Sequence, residues 1–230
     1  MQQITKRQLS IGLFYLLAIH LTLLPPLVFS LVENFFPGPN LNPIFQFILI
    51  LVTTCFYIFL LRRPLGEGLR TLGKLTPTLL WAIPVGYVVT LLLRALVTFL
   101  IVMVYGDFNF GTNQETVEAV AAQAPMLIAF MAIVLAPLWE ELFFTGLLFG
   151  GLRQKSRFLA YLAAPLAFGL LHTWVMFMDG FSLLTVLITL IYVPSAFVSC
   201  RLYEKTGNIW SSILFHSFSN ALAVLVMTMF

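Results

Sequence analysis

Seven long apolar stretches fill most of the chain, and nothing else in the sequence constrains its fold as strongly. They run roughly over residues 9–32, 43–61, 77–105, 124–151, 158–178, 181–200 and 208–229. A bilayer core about 30 Å thick is crossed by ~20 predominantly apolar helical residues, and each stretch reaches that length. Within lipid every backbone polar group must be bonded inside the segment or inside a closed barrel. The stretches are continuous rather than alternating, so they spell helices and not barrel strands. Only 9% of the 230 residues are charged and 60% are hydrophobic, whereas a soluble domain carries about a quarter charged residues. That excludes a soluble globular domain, a disordered chain and a nucleic-acid binder. The expected fold is all-α, a polytopic transmembrane bundle of about seven spans.

The first stretch follows Lys6 and Arg7, as a signal peptide would, but it is long and lacks a small-residue cleavage site, so it reads as a retained helix. Pro37-Gly38-Pro39-Asn40 closes the first hairpin, Arg62-Arg63-Pro64 ends the second helix, and Gly106-Asp107-Phe108-Asn109 ends the third. No linker, low-complexity run or large loop interrupts the chain, so residues 1–230 read as a single membrane domain. Gly66 to Thr76 reads either as a basic amphipathic helix on the membrane surface or as a basic loop. Cys55 and Cys200 lie in apolar stretches without partners nearby in sequence, as packing residues do.

Threading seven spans sorts the charges. Lys6, Arg7, Arg62, Arg63, Arg70, Lys74, Arg153, Lys155, Arg157, Arg201 and Lys205 fall on one side, opposed only by Glu67 and Glu204. The other side receives Glu33, Asp107, Glu115, Glu118 and Asp179, with no Lys or Arg. Cytoplasmic loops are the ones rich in Lys and Arg, which puts the N-terminus inside and the C-terminus outside.

Arg94, Glu140, Glu141, His20, His172 and His216 remain inside the spans. A charge at the bilayer centre costs about 2.5–3.5 kcal/mol on insertion scales, so an intramembrane ionisable residue marks a functional site by default, with polar glue between helices as the alternative. At about 1.5 Å of rise per residue, Glu141 stands roughly 18 Å above Arg153, His172 roughly 22 Å above Arg157, and His216 roughly 16 Å above Lys205, with Asn220 roughly 6 Å further. These groups share one level near the bilayer middle, which one polar cavity explains.

Local spacing agrees. His216 and Asn220 are four residues apart and share a helix face, as do Phe168 and His172. Glu140 and Glu141 diverge by about 100° around their helix, so one can face a cavity while the other braces a neighbouring helix. Pro137 removes a backbone donor and crowds the carbonyl of Ile133, so a kink is expected there. Gly146 and Gly150 have the spacing of close helix packing. His20 stands alone and reads as interhelical glue.

Glu140-Glu141-Leu142-Phe143-Phe144-Thr145, then Phe168 to His172, then His216 to Asn220, resemble the EExxxR, FxxxH and HxxxN motifs of the CPBP family. These are the CAAX proteases and bacteriocin-processing or immunity proteins, also called the Abi family. The likeness covers roughly residues 124–225. It implies an intramembrane endopeptidase in which Glu140 is the general base for a water. In that scheme His172 holds and polarises the water, His216 and Asn220 stabilise the oxyanion, and Glu141 orients its neighbours. The family's arginine is replaced by Thr145. The expected substitute is Arg94, approaching Glu141 or Glu140 across the helix interface. Glu140, His172 and His216 would be the ligands if a zinc ion took part, although a metal-independent glutamate mechanism is the preferred reading.

The resemblance implies a peptide or membrane-anchored protein segment as substrate, the lipid bilayer as surroundings and a bacterial plasma membrane as location. Peptide maturation and bacteriocin self-immunity are the roles it implies; the sequence leaves the oligomeric state open. A catalytically inactive scaffold binding a partner protein is the alternative that Thr145 favours. A proton-relay transporter would show an inverted repeat or paired broken helices, and neither is evident.

Overall fold

The computed structural model describes residues 4–35, 41–106 and 124–229. The expected turn at Pro37-Gly38-Pro39-Asn40 and the acidic residues Asp107, Glu115 and Glu118 lie outside the described residues. Among those described there are helices and no strands. Seven helices are long and apolar enough to cross a membrane: α1 (Lys6–Phe35), α2 (Pro43–Leu60), α3 (Arg62–Tyr105), α4 (Pro125–Arg153), α5 (Arg157–Asp179), α6 (Leu183–Thr206) and α7 (Trp210–Met227). The protein is a multi-pass helical membrane protein.

The helices begin and end where local chemistry directs. Thr5 and Gln8 form a reciprocal capping box at the start of α1. Ser156 and Ser182 accept from the backbone N–H groups of Leu159 and Thr185 at the starts of α5 and α6. Gly207 ends α6 with φ of 67°, a left-handed conformation that costs glycine nothing. It turns the chain directly into α7.

The third helix starts earlier than the hydropathy suggests. Arg62–Tyr105 is one helix of 44 residues, so the segment from Gly66 to Thr76 is helical and continuous with the span. Its base is tied to the turn between α6 and α7. Trp210 Nε1 donates to the Leu65 carbonyl at 2.9 Å, and Asn208 Nδ2 donates to the Gly68 carbonyl at 2.8 Å. A Cβ at Gly68 would stand 2.7 Å from Asn208 Oδ1, so the close approach requires glycine.

The basic ends gather at one end of the bundle. Gln8 Nε2 donates to the Leu60 carbonyl, and Gln154 Nε2 to the Ile4 carbonyl. Nearby, Glu204 accepts from Arg153 at 2.5 Å, Arg157 at 2.9 Å, Arg201 at 3.1 Å and the Tyr161 hydroxyl at 2.7 Å. The glutamate that opposed the basic side in sequence joins α4, α5 and α6 there.

The most buried of the seven helices is α4. Its aromatic face of Trp139, Phe143, Phe144 and Phe149 forms the main core with Tyr57, Phe168 and Tyr203. Gly146 lies against Leu61, and Gly150 against Ile4, so this pair serves packing inside the bundle. His20 bonds Thr53 at 2.8 Å and lies tilted against Trp139, with ring centroids 5.2 Å apart, joining α1, α2 and α4 as interhelical glue. Cys55 and Cys200 are both free.

Candidate active site

Proline shapes the helix that carries the two glutamates. Ahead of Pro137, residues Met131–Leu135 are wound with π-helical bonding, and the Ala136 N–H reaches back to the Met131 carbonyl. In that register the next carbonyl, Ala132, would be served by residue 137, but proline has no N–H to give. The orphaned acceptor is filled from another helix, because Asn220 Nδ2 donates to Ala132 O at 2.8 Å. The Leu135 carbonyl is likewise met by the Thr54 hydroxyl at 3.2 Å. What precedes Pro137 is a widened turn whose carbonyls are recruited by α2 and α7. Such π segments are uncommon and frequently lie at functional sites.

Beyond this turn the two glutamates part. Glu141, 2% exposed, is held on three sides. The Thr145 hydroxyl donates to Oε2 at 2.7 Å, Ser199 Oγ donates to Oε1 at 2.9 Å, and His216 Nδ1 lies 2.9 Å from the same Oε1. Two hydroxyl donors and an imidazole nitrogen thus converge on one carboxyl group. It ties α4 to α6 and α7. Glu140 is also buried but lines a cavity, and its Oε2 has no hydrogen-bond partner among the described residues. His216 Nε2 lies 3.8 Å from it, too long for a direct bond. His216 therefore stands between the acids, anchored through Nδ1 to Glu141 with Nε2 toward Glu140.

The cavity has a volume of about 370 Å³, within the range of ligand sites. Glu140, His172, His216 and Asn220 all line it. His172 donates from Nδ1 to the Phe168 carbonyl at 2.8 Å, which leaves Nε2 as an acceptor in the neutral ring. Its ring lies between Phe168 and Tyr192, with centroids 4.4 and 4.6 Å away. The spacing of Phe168 and His172 thus supplies both the aromatic wall and the backbone bond that sets the tautomer.

Two expectations need correction or completion. Arg94 does not serve Glu141. It is exposed, lines the same cavity as Glu140 and His172, and forms no ion pair with either glutamate among the described residues. Thr145, at the position of the arginine in the resembled motif, itself donates to Glu141 through its hydroxyl. Ser199 was missed by the sequence reading. Its signal in the sequence is weak, a serine four residues after Ser195 on the same helix.

A zinc site fits poorly. Among the described residues no three His, Cys, Asp or Glu side chains are grouped to hold a metal ion, so Glu140, His172 and His216 do not form a ligand set in this geometry.

By fold and site, this is a multi-pass membrane protein enclosing a Glu–Glu–His–His–Asn cluster within its helices. Residues 122–222 match the family described as Type II CAAX prenyl endopeptidase Rce1-like. A protein of Bacillus subtilis (strain 168), named "Putative membrane peptidase YdiL", is 27% identical over 197 residues, covering 84% of this chain and 74% of that protein. No solved structure matches the chain. Both findings support the resemblance to the CPBP family that the motifs carry.

Proposed function

We propose that this protein is an intramembrane endopeptidase that cleaves a peptide or a membrane-anchored protein segment with a glutamate-activated water. The observation that carries this reading is Glu140 Oε2, a buried carboxyl oxygen without a hydrogen-bond partner among the described residues, on a residue that lines a cavity with two histidines and an asparagine. A buried polar atom left unpaired costs about 1–3 kcal/mol, and a reaction gives a reason to keep it so.

The chain's own groups divide the work. Glu140 takes a proton from a water while the water oxygen attacks the scissile carbonyl. His172, with Nδ1–H committed to Phe168, accepts from that water through Nε2 and fixes its position. His216 and the second N–H of Asn220 face the oxyanion as it forms. The Glu141 carboxylate supports positive charge on the His216 ring, so that Nε2–H can donate. Glu140 then passes its proton to the leaving amine as the C–N bond breaks. Donors already in place in a water-poor cavity act strongly on developing negative charge. No step is routed through a metal.

Thr145 supports this reading over an inactive scaffold, since its hydroxyl supplies Glu141 with a donor where the family has arginine. The name of the Bacillus relative points the same way. The proposed setting is a bacterial plasma membrane with the N-terminus inside, residues 1–230 forming one domain with its catalytic core at about 124–225, and a role in peptide maturation or bacteriocin self-immunity.

The test compares wild type with Glu140→Gln on a membrane-anchored reporter in liposomes. General bases contribute about 100- to 10,000-fold, so cleavage should fall by at least about 100-fold while the melting temperature holds. Equal cleavage by both proteins would refute the assignment.

A further inference from the structure

Arg94 is a permanent cation on a membrane-spanning helix. By helical rise it lies about 16 Å from the Tyr105 end of α3, beyond the reach of a side chain that snorkels to the interface. Placing such a charge in a span is costly, and it is normally offset by a partner. Among the described residues Arg94 has no ion pair. Nor does it point idly into lipid, because it is part of the cavity wall with Glu140, His172 and Gln46. Thr90, one turn earlier on the same helix face, is 3% exposed, with a buried hydroxyl that has no hydrogen-bond partner among the described residues. That face of α3 is turned to the bundle, where α6 and α7 pack against it.

The cavity is thus electrically two-ended. An acid stands at one place, a guanidinium at another, and the two do not pair. We propose that Arg94 is the anchor for a carboxylate of the substrate peptide, with the Gln46 amide as a second donor on the same wall. This rests on the peptidase reading of the site. A guanidinium presents a planar fork that matches a carboxylate with two parallel hydrogen bonds. Glu140 repels the same group. A peptide carrying a carboxylate would therefore enter in one orientation, with its anion at Arg94 and its amide chain laid toward Glu140 and His216. Arg94 is a specificity-determining residue, and the carboxylate is either the peptide's C-terminus or an acidic side chain.

The test separates binding from cleavage. A dansyl-labelled apolar hexapeptide, whose label carries no carboxylate, is prepared as the free acid, as the C-terminal amide, and as the amide with one internal glutamate. Binding of each is measured to Glu140→Gln, and to Glu140→Gln combined with Arg94→Gln or Arg94→Lys, in phosphatidylcholine nanodiscs. The Glu140→Gln background binds without turnover, so the result stands whether or not the peptidase reading holds. That reading is judged separately by the loss of cleavage in Glu140→Gln alone.

A lost charged hydrogen bond corresponds to about 10- to 100-fold in affinity. The protein with Arg94 should prefer a carboxylate peptide over the plain amide by at least about tenfold. Arg94→Gln should abolish the preference and Arg94→Lys should keep part of it. Preference for the free acid identifies the C-terminal carboxylate, and preference for the glutamate amide identifies a side chain; either supports the proposal. Equal affinities for all three peptides, or a preference that survives Arg94→Gln, overturn it. So does an effect of Arg94→Gln that appears only when phosphatidylglycerol is added, since Arg94 would then be binding a lipid phosphate.

Discussion

Replacing Thr145 by valine keeps the shape of the side chain and removes the hydroxyl. Thr145 is 1% exposed, so water cannot take the hydroxyl's place. Glu141 Oε2 accepts from Thr145 at 2.7 Å, whereas Oε1 accepts from Ser199 and faces His216, each at 2.9 Å. The two oxygens therefore respond differently. Thr145→Val strips Oε2 of its donor within the core, and a hydrogen bond to a charged group contributes about 1.5–3 kcal/mol. Ser199→Ala leaves Oε1 with His216 and should cost about 0.5–1.5 kcal/mol. At roughly 2–4 °C per kcal/mol for a chain of this size, Thr145→Val should lower the melting temperature in detergent by about 3–12 °C, and Ser199→Ala by less. The double variant should lose more than the sum, because both hydroxyls act on one carboxylate. Arg94→Ala and Thr145→Val should be additive, since Arg94 does not touch Glu141. A Thr145→Val protein within about 1 °C of wild type would refute the argument that this hydroxyl stands in for the missing arginine. A larger loss from Ser199→Ala than from Thr145→Val would refute the argument that the oxygens are unequally served.

Gly169→Ala should separate α5 from α6, because a Cβ at Gly169 would stand 2.7 Å from the Thr189 backbone carbonyl. Overpacking of this kind costs about 1–3 kcal/mol, and since His172 lies one turn further along α5, cleavage should fall with stability; a variant matching wild type in melting temperature and cleavage would refute it. For topology, Lys155→Cys should react with an impermeant maleimide only from the cytoplasm, and Asp179→Cys only from outside. Labelling of both from the same side would contradict seven crossings.

Much of this molecule is legible without coordinates because a membrane reduces the problem. Lipid supplies no hydrogen bonds, so apolar stretches of sufficient length must be helices, and the seven spans follow from hydropathy and length. The cost of burying charge likewise isolates Glu140, Glu141, His172, His216 and Arg94 before any contact is known. Helical rise and the four-residue spacing bring the acids and histidines to one level. Three things could not be read this way, because each depends on how helices rotate against one another. Hydropathy sees α3 only from residue 77, while the bonds from Asn208 and Trp210 at its base belong to tertiary packing. The fate of the Ala132 carbonyl needed both the widened turn before Pro137 and Asn220 from a helix 88 residues on. The partner of Glu141 was sought among cations because charge can be read in a sequence. A threonine one turn away and a serine on another helix are uncharged, and only the packing of α4 against α6 and α7 decides that these hydroxyls, rather than Arg94, meet the carboxylate.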